Sequence, residues 1–467
     1  MHEPDQKMTQ ATETSTKGPS LLRELGVSQA SAIVVGTIIG SGIFLVPAEM
    51  MQAVGSAKLV YLAWIVGGLL SLAGAITYAE LGAMKPQAGG EYIYIRDAYG
   101  ELPAFLYAWT WFIVAKPGSI ATIATGIVRV LGTFPALAFF SQPVIRAPIV
   151  VTYGQFVAIL AAVLITWLNY IGVKRAGEFQ LVFTILKVVM IVGVGVVGFT
   201  AASGTWKNFG THYAGAAGGI VGFMAALVAA LWAYDGWNDL NMVSGEIKQP
   251  ERTIPIALIA GVAVVAALYM LNNAAVQYVL PASQIAVAQR PSSDATAIAV
   301  GVWGASIVSI GMALSMLVGL NGTIMSGARI PYAVARDGYF FKAMADVHPR
   351  FHTPSVALMV QLLLSIVLLL FGGNFRQLFS LTIFAEWLFY MIAASTVFVL
   401  RWKEPNAPRP YKTWGYPVVP AVFVLVAAVL LYFTFTQNLR NSLYGCALIL
   451  SGIPVFVYFA WKRAQAE

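Results

Sequence analysis

Two stretches of the sequence place glycines and short polar or acidic residues inside otherwise apolar runs. The first is VVGTIIGSGIFLVP at residues 34–47, and the second is ALWAYDGWNDLNMVSGEIKQP at residues 230–250. Glycine, serine, aspartate and asparagine are poor helix formers, so each stretch predicts a helix that is interrupted part-way. The N–H groups that begin one half-helix attract a carboxylate, and the carbonyl groups that end the other attract a cation. Such a site suits a zwitterion such as an amino acid.

The glycines of the first stretch have a second interpretation, which is helix packing. Small residues spaced as in GTIIG let two helices approach closely, and this is the commoner use of such glycines in membranes. The second stretch favours the interrupted-helix interpretation, because Asp235, Gly236, Asn238 and Asp239 interrupt a corresponding apolar run. Interrupted segments at corresponding positions of two halves indicate a transport site at the middle of the membrane.

Four ionisable residues lie within apolar runs, namely Lys116, Lys187, Asp235 and Glu386. A charge at mid-bilayer costs about 2.5–3.5 kcal/mol, so each is a candidate functional residue. Lys187 lies about nine residues inside its run, counted from Glu178, which is too deep for it to reach the interface comfortably. We hypothesise that it supplies a tethered cation beside the first break, in place of a mobile sodium ion.

The other candidates each have an alternative role. Lys116 either takes part in function or satisfies backbone carbonyls near the interface. Asp235 either attracts a cationic group or caps a helix end. Glu386 either faces the path or, in our preferred interpretation, pairs with a lysine of another span. Trp232 has the bulk to close over a substrate as a gate, although most membrane tryptophans have packing or interfacial roles.

The composition excludes most other classes of protein. Of 467 residues, 59% are hydrophobic and 10% charged, which is too little polar surface for a water-soluble fold. The net charge is +8, but the cations lie between apolar runs, so nucleic-acid binding is not expected. One cysteine, Cys446, and four scattered histidines argue against an intramolecular disulfide and a metal site. Because P-loop, HExxH and GxSxG motifs are absent from the sequence, we expect neither an enzyme nor a cofactor.

The apolar runs predict an all-α integral membrane protein with twelve spans, since about 20 apolar residues cross a bilayer. The predicted spans are 29–53, 58–83, 103–132, 152–171, 179–201, 216–244, 253–279, 294–320, 355–372, 377–400, 417–436 and 441–461. With the N-terminus inside, inner segments carry 19 of the 28 Lys and Arg residues and outer segments 7. This asymmetry predicts that both termini are cytoplasmic, with residues 1–28 as an N-terminal tail.

The two breaks fall in spans one and six, each the first helix of a five-helix set. The predicted halves are residues 29–202, with helices 1–5, and residues 216–401, with helices 6–10. Residues 416–463 supply helices 11 and 12. This repeat is inferred from hydropathy and from the breaks.

Several motifs resemble those of the amino acid–polyamine–organocation transporters. They are VGTIIGSGIF (35–44), TYAELGAMKPQAGGEYIYIRDAYG (77–100), YDGWNDLN (234–241), EIKQP (246–250) and LNGTIMSGARIPYAVARDG (320–338). Within that superfamily the chain resembles the L-type subfamily. The resemblance implies an inverted five-plus-five helix fold (LeuT-like) with two further helices, in which helices 1 and 6 are unwound. It also implies sodium-independent exchange of amino acids at the cell membrane.

The resemblance also implies roles for particular residues. The substrate α-carboxylate would be bound by the backbone N–H groups of Thr37, Ile38, Ile39, Gly40, Ser41, Gly42 and Ile43. The α-amino group would be bound by the carbonyls of Trp232, Ala233, Tyr234 and Asp235, with Trp232 as the outer gate. Asn238 lies at a position tied to binding or gating, and Lys187 falls on the helix-five lysine that occupies a former sodium site.

The chain departs from the animal light subunits of this subfamily. Those subunits join a glycoprotein partner through a cysteine between spans three and four, where this chain has FFSQPVIRAP. We therefore expect no disulfide-linked subunit, and the partners are the amino acid substrate and the lipid bilayer.

Our first hypothesis is an antiporter of neutral and cationic L-amino acids that works by alternating access. Three alternatives stay open: proton-coupled uptake through Lys187, exchange of polyamines or cationic amino acids held by Asp235 and Glu386, and a membrane sensor that does not transport. The side chains that the site accepts are not predicted.

Overall fold

The computed structural model describes residues 19–146, 150–371 and 375–465, and the side chains of residues 375–383 lie outside this description. Residues 1–18 of the predicted tail also lie outside it. The described chain is mostly helical. Its one two-stranded sheet pairs β1 (Pro143–Ile145) with β2 (Val151–Thr152) in antiparallel fashion.

The first half of the described chain forms eight α-helices. They are α1 (Val27–Ile38), α2 (Gly42–Val54), α3 (Ala57–Met84), α4 (Glu91–Tyr99), α5 (Glu101–Thr110), α6 (Lys116–Leu131), α7 (Tyr153–Tyr170) and α8 (Val173–Thr200). A π-helical turn, Trp111–Ala115, joins α5 to α6, so that the two form one continuous span. Short 3₁₀ turns at Pro135–Ser141 and Trp206–Gly210 lie in the connections.

The second half continues with nine α-helices, and three more end the described chain. They are α9 (Gly219–Ala233), α10 (Asp239–Met242), α11 (Pro250–Val279), α12 (Ala282–Val287), α13 (Pro291–Val300), α14 (Val302–Gly327), α15 (Arg329–Arg336), α16 (Ser355–Phe371), α17 (Phe375–Lys403), α18 (Val418–Gln437), α19 (Leu439–Leu450) and α20 (Gly452–Ala464). Two 3₁₀ turns lie at Ser244–Glu246 and Lys342–Ala345.

Among the described residues, ten helices are long and apolar enough to cross a membrane, and two shorter apolar helices are α9 and α16. Each of these segments overlaps one of the predicted runs. The eighth run differs, because α13 is a separate helix and the crossing helix begins only at Val302. Gly301, with a φ of 81°, separates the two, a backbone angle that glycine adopts most readily.

The outward faces of the helices carry many large apolar side chains. On α8, for example, Val182, Ile185, Leu186 and Val189 are all exposed. A helix that is hydrophobic on all sides is typical of a membrane span, in which lipid contacts the outer face.

The helices that contain the two breaks lie at the centre of the bundle. The segment α1 packs against α8, α11 and α14, and α2 packs against α9. A side chain at Gly261 of α11 would collide with Val34, since an added Cβ would lie 2.6 Å from Val34 Cγ1. The absence of a side chain at Gly261 thus lets α11 approach α1 closely.

Candidate functional site

The first break separates α1 from α2. Helix α1 ends at Ile38, α2 begins at Gly42, and residues 39–41 between them are not helical. The last carbonyls of α1 and the first N–H groups of α2 therefore lack their usual intrahelical partners. A Cβ atom added to Gly40 would meet none of the described atoms within 4 Å, so the break borders open space.

The carbonyls that end α1 are satisfied by a cation from α8. The buried Lys187 ammonium donates to the carbonyl oxygens of Gly36 at 2.9 Å and Ile39 at 2.7 Å. A third bond, of 3.2 Å, goes to the carbonyl of Ser315 on α14, and the Ser315 hydroxyl itself donates to Ile39. A single ammonium group therefore joins the first break to two neighbouring helices.

The second break separates α9 from α10. Helix α9 ends at Ala233 and α10 begins at Asp239. Gly236 has a φ of 103°, and a Cβ there would lie 3.1 Å from the backbone carbon of Thr37. This close approach brings the Thr37 hydroxyl to 2.8 Å from the Gly236 carbonyl, and the same hydroxyl lies 2.6 Å from the Ile33 carbonyl within α1.

The two breaks contact each other in two further places. The Tyr269 hydroxyl of α11 lies 3.0 Å from the Ile38 carbonyl and 2.7 Å from the Ala233 carbonyl, which end the two half-helices. A Cβ added to Gly42 would lie only 2.9 Å from the Ala233 Cβ. The half-buried Trp232 indole lies beside the same position. The start of α2 and the end of α9 are therefore in direct contact.

Polar side chains of the second break belong to a hydrogen-bonded chain. The Tyr390 hydroxyl donates to Asp235 Oδ1 at 2.7 Å and lies 3.3 Å from Asn238 Oδ1. The Asn238 amide donates in turn to Glu91 Oε1 at 2.6 Å, and the Tyr107 hydroxyl donates to Glu91 Oε2 at 3.1 Å. The chain joins the break to α4, α5 and α17.

Lys116 pairs with Asp239, at the first residue of α10. Sequence reasoning preferred a pair between Glu386 and a lysine of another span, but no such ion pair occurs in the described part of the chain. Both Glu386 and Asp239 are carboxylates near a break. The Lys116 ammonium on α6 therefore meets the first residue of α10, although α6 also packs against α17.

Comparison with known proteins agrees with this arrangement. Residues 25–456 match the amino acid permease family. The mouse b(0,+)-type amino acid transporter 1 is 32% identical over 99% of this chain and 93% of its own length. The serine/threonine exchanger SteT of Bacillus subtilis is 31% identical over 97% of this chain and 100% of its own. The rabbit large neutral amino acids transporter small subunit 2 is 32% identical over 95% and 82%.

The chain belongs to the amino acid permease family. The predicted resemblance to the L-type members of the amino acid–polyamine–organocation superfamily is thereby confirmed. Family membership and the apolar helices make this permease an integral membrane protein. All three relatives are named as transporters or exchangers.

The residues singled out by sequence reasoning lie together at the two breaks of the permease. Thr37 to Ile43 span the first break, and Trp232 to Asn238 span the second. Lys187 contacts the first break directly. The carbonyls of Trp232 and Ala233 already accept bonds, from the Asp235 N–H at 3.2 Å and from Tyr269.

Sequence reasoning missed five polar residues that contact the breaks: Glu91, Asp239, Tyr269, Ser315 and Tyr390. Asp239 stands inside the second polar stretch, where it was predicted to interrupt the helix but not to pair with a lysine. Glu91 follows two glycines, a weak sign of a close approach. The other three lie in long apolar helices, where their spacing gives no signal. Among the described residues, no group of three or more side chains has the arrangement of a metal site.

Proposed function

We propose that the permease is a sodium-independent amino acid antiporter, which exchanges neutral and cationic L-amino acids by alternating access. The observation that carries the proposal is the pair of interrupted helices whose ends contact each other through Thr37, Gly42 and Tyr269. One break offers N–H groups and the other offers carbonyls. Three relatives along nearly the whole chain are named as amino acid transporters or exchangers, which supports this substrate class.

The substrate carboxylate binds at the start of α2. The first N–H groups of a helix are free for an anion, and the helix dipole adds a partial positive charge. Within the predicted run from Thr37 to Ile43, the N–H groups at the start of α2 are those of Ser41, Gly42 and Ile43, because Ile39 and Gly40 already donate to the Val35 and Ile38 carbonyls. Gly40 borders open space. The substrate ammonium binds at the carbonyl end of α9, from Trp232 to Asp235.

Lys187 acts as a fixed cation beside the carboxylate site. Its three carbonyl partners are the kind of ligand that a sodium ion would take. An ammonium group in that position satisfies the end of α1 without a mobile ion. Exchange therefore proceeds without sodium.

We infer that the helices form twelve spans in two inverted repeats, residues 29–202 and 216–401, followed by two helices within residues 416–463. The breaks in the first helix of each repeat support this arrangement. One group of helices rocks against the other around the site, and Trp232, next to Gly42, closes the outer side.

We further propose that the permease lies in the plasma or inner membrane, with both termini cytoplasmic. The excess of Lys and Arg in alternate connections supports this orientation. Cys446 is the one cysteine of the chain and lies in α19, not in the connection that follows α6. The permease therefore works without a disulfide-linked subunit.

Two measurements test the function. A thermal-shift screen of the purified permease against the standard amino acids, agmatine and putrescine identifies ligands, because a ligand that binds the native state raises its apparent stability. The best ligand is then labelled and added outside proteoliposomes that contain the unlabelled ligand. We expect uptake that requires ligand inside and is unchanged when choline replaces sodium. Protein-free vesicles are the control.

Other outcomes identify the alternatives. If empty vesicles fill when a pH gradient is imposed, proton-coupled uptake through Lys187 replaces exchange. If only agmatine, putrescine or cationic amino acids bind, the substrate ammonium sites are Asp235 and Glu386. Ligand binding without uptake of any compound contradicts transport and favours a sensor.

A further inference from the structure

The buried carboxylate of Glu91 differs from the other fully buried glutamates of the described chain. Glu80 pairs with Arg401 at 2.6 Å, and Glu246 pairs with Arg329 at 2.7 Å. Glu91 is 0% exposed and has no ion-pair partner among the described residues. Its side-chain partners are the amide of Asn238 and the hydroxyl of Tyr107, both neutral donors.

The chain around Glu91 is built to bring it to the second break. Gly89 and Gly90 precede it with φ values of 116° and 54°. The Gly89 N–H donates to the Met242 carbonyl at 2.9 Å, and a Cβ added to Gly90 would lie 2.9 Å from the Met242 backbone nitrogen. A side chain at position 90 would therefore push α4 away from α10. The two glycines allow the first turn of α4 to approach the segment that follows the break.

We propose that Glu91 is a positioning residue for the substrate site, which fixes Asn238 and the interrupted helix from the side of α4 in a manner that depends on its protonation. This inference rests on the proposed function and deepens it. Glu91 itself does not contact the open space at the first break; it acts through Asn238.

The two protonation states of Glu91 place different demands on Asn238. An ionised carboxylate only accepts hydrogen bonds, which fits the two donors that it meets. A neutral carboxyl group also donates one. Oε2 can donate to the Tyr107 hydroxyl, which then no longer donates to Glu91, or Oε1 can donate to Asn238, which accepts only by turning its amide so that Oδ1 faces Glu91. That turn removes Oδ1 from Tyr390, whose hydroxyl also contacts Asp235. The observed arrangement, in which Asn238 and Tyr107 both donate to Glu91, therefore belongs to the ionised form.

The surroundings of Glu91 set the pH at which this change occurs. Glu91 begins α4, outside the membrane-spanning helices. Burial raises the pKa of Glu91 to about 7, with a smaller contribution from the nearby Asp239 carboxylate, against the bond from Asn238 and the charge of Lys116. The titratable groups that face it are Tyr78 on α3, Tyr94 on α4, Tyr107 on α5, Lys116 on α6, Asp239 on α10 and Tyr390 on α17. Asp337, at the end of α15, pairs instead with Arg96, farther along α4.

The test is the KM of exchange by wild-type proteoliposomes at pH values from 6 to 8. Substrate is presented on the face of the membrane at which α4 lies. For a pKa of about 7, the ionised fraction rises from about one tenth to about nine tenths across this range. We expect the wild-type KM to fall by about tenfold as the pH rises, while the maximal exchange rate changes little. Glu91→Gln, which cannot ionise, should keep the high KM of the wild type at pH 6 throughout.

Two further variants sharpen the test. Tyr107→Phe removes a donor to the carboxylate but keeps the ring that packs against Trp111 and Phe389. The pKa of Glu91 should rise, so the change in KM should move to higher pH; this variant also tests the inference if Glu91→Gln does not fold. Glu251→Gln, at an exposed position of α11, is the matched control and should behave as the wild type.

The results separate this inference from the proposed function. A wild-type KM that is equal at pH 6 and pH 8 overturns the role of Glu91, as does a Glu91→Gln variant that keeps the wild-type pH profile or a Tyr107→Phe variant with an unshifted profile. A lower maximal rate without a change in the KM profile means that Glu91 is only structural, and also overturns it. If the wild type exchanges no amino acid at any pH, the proposed function fails and the inference fails with it.

Discussion

The side chains of the two helix breaks take part in hydrogen bonding to different extents. At the first break, the side chains of the break itself are small or apolar, and the donors arrive from other helices: Lys187 from α8, Tyr269 from α11 and Ser315 from α14. At the second, Asp235 and Asn238 are part of the break and bond to side chains of α17 and α4.

This difference indicates different roles for the two breaks. Lys187 and its neighbours hold the end of α1 by bonds to backbone carbonyls, which cannot change their charge. The second break is held by carboxyl, amide and hydroxyl groups, whose donors and acceptors can be reversed. We therefore expect the first break to be a fixed anion site and the second to be the part that rearranges during transport.

This difference predicts that removing Lys116, which pairs with Asp239 at the second break, lowers the stability of the fold more than removing Lys187. Lys116→Met leaves the buried Asp239 carboxylate without its ammonium partner, and breaking a buried ion pair on one side costs about 3–5 kcal/mol. We expect a large fall in the unfolding temperature of the purified permease, measured by a fluorescence melt.

Adding Asp239→Asn to that variant supplies the control, since it removes the remaining charge. The double variant should be more stable than Lys116→Met alone. Asp239→Asn alone is measured as well. If the losses of stability of the two single variants simply add in the double variant, the buried pair is not the cause.

The next largest effect is expected at the first break, where the variant should fold but lose exchange activity. Lys187→Ala leaves the Gly36 carbonyl without its donor and the Ile39 carbonyl with the Ser315 hydroxyl alone. An unsatisfied buried acceptor costs about 1–3 kcal/mol. Because about 1.4 kcal/mol is a factor of ten, exchange should fall by about 100-fold. Counterflow per mole of folded protein measures it.

Lys174→Ala is the matched control for Lys187, because Lys174 is an exposed residue of the same helix. It should exchange at the wild-type rate. Wild-type exchange by Lys187→Ala, or strong stimulation of the wild type by sodium, would contradict the role of a fixed cation.

The sequence predicted the positions of the breaks but not the groups that hold them. Glycines and short polar residues weaken a helix locally, so GTIIGSG and YDGWND carried the signal themselves. Lys187 was predicted because a charge so deep in an apolar run has few purely structural explanations. The sequence did not distinguish between Asp239 and Glu386 as the partner of Lys116. Both are carboxylates, and the pairing depends on how the helices pack.

Tyr269 shows the same limit for a residue that contacts both breaks. It stands in the apolar run AALYMLNN, where a buried aromatic side chain is ordinarily a packing residue. Only the approach of α11 to α1 brings its hydroxyl to the Ile38 and Ala233 carbonyls. Such contacts are products of tertiary packing, and local spacing does not encode them.

The smallest of the three effects is therefore expected at Tyr269, which joins the two breaks without a charge. Tyr269→Phe removes one hydroxyl from two buried carbonyls, and an unsatisfied buried acceptor costs about 1–3 kcal/mol, so exchange should fall by about tenfold. Tyr61→Phe on α3 is the matched control away from the breaks, because the buried Tyr61 hydroxyl has no hydrogen-bond partner among the described residues. It should leave exchange unchanged. Equal losses in both variants would show that the hydrogen bonds of Tyr269 to the two breaks are not the cause.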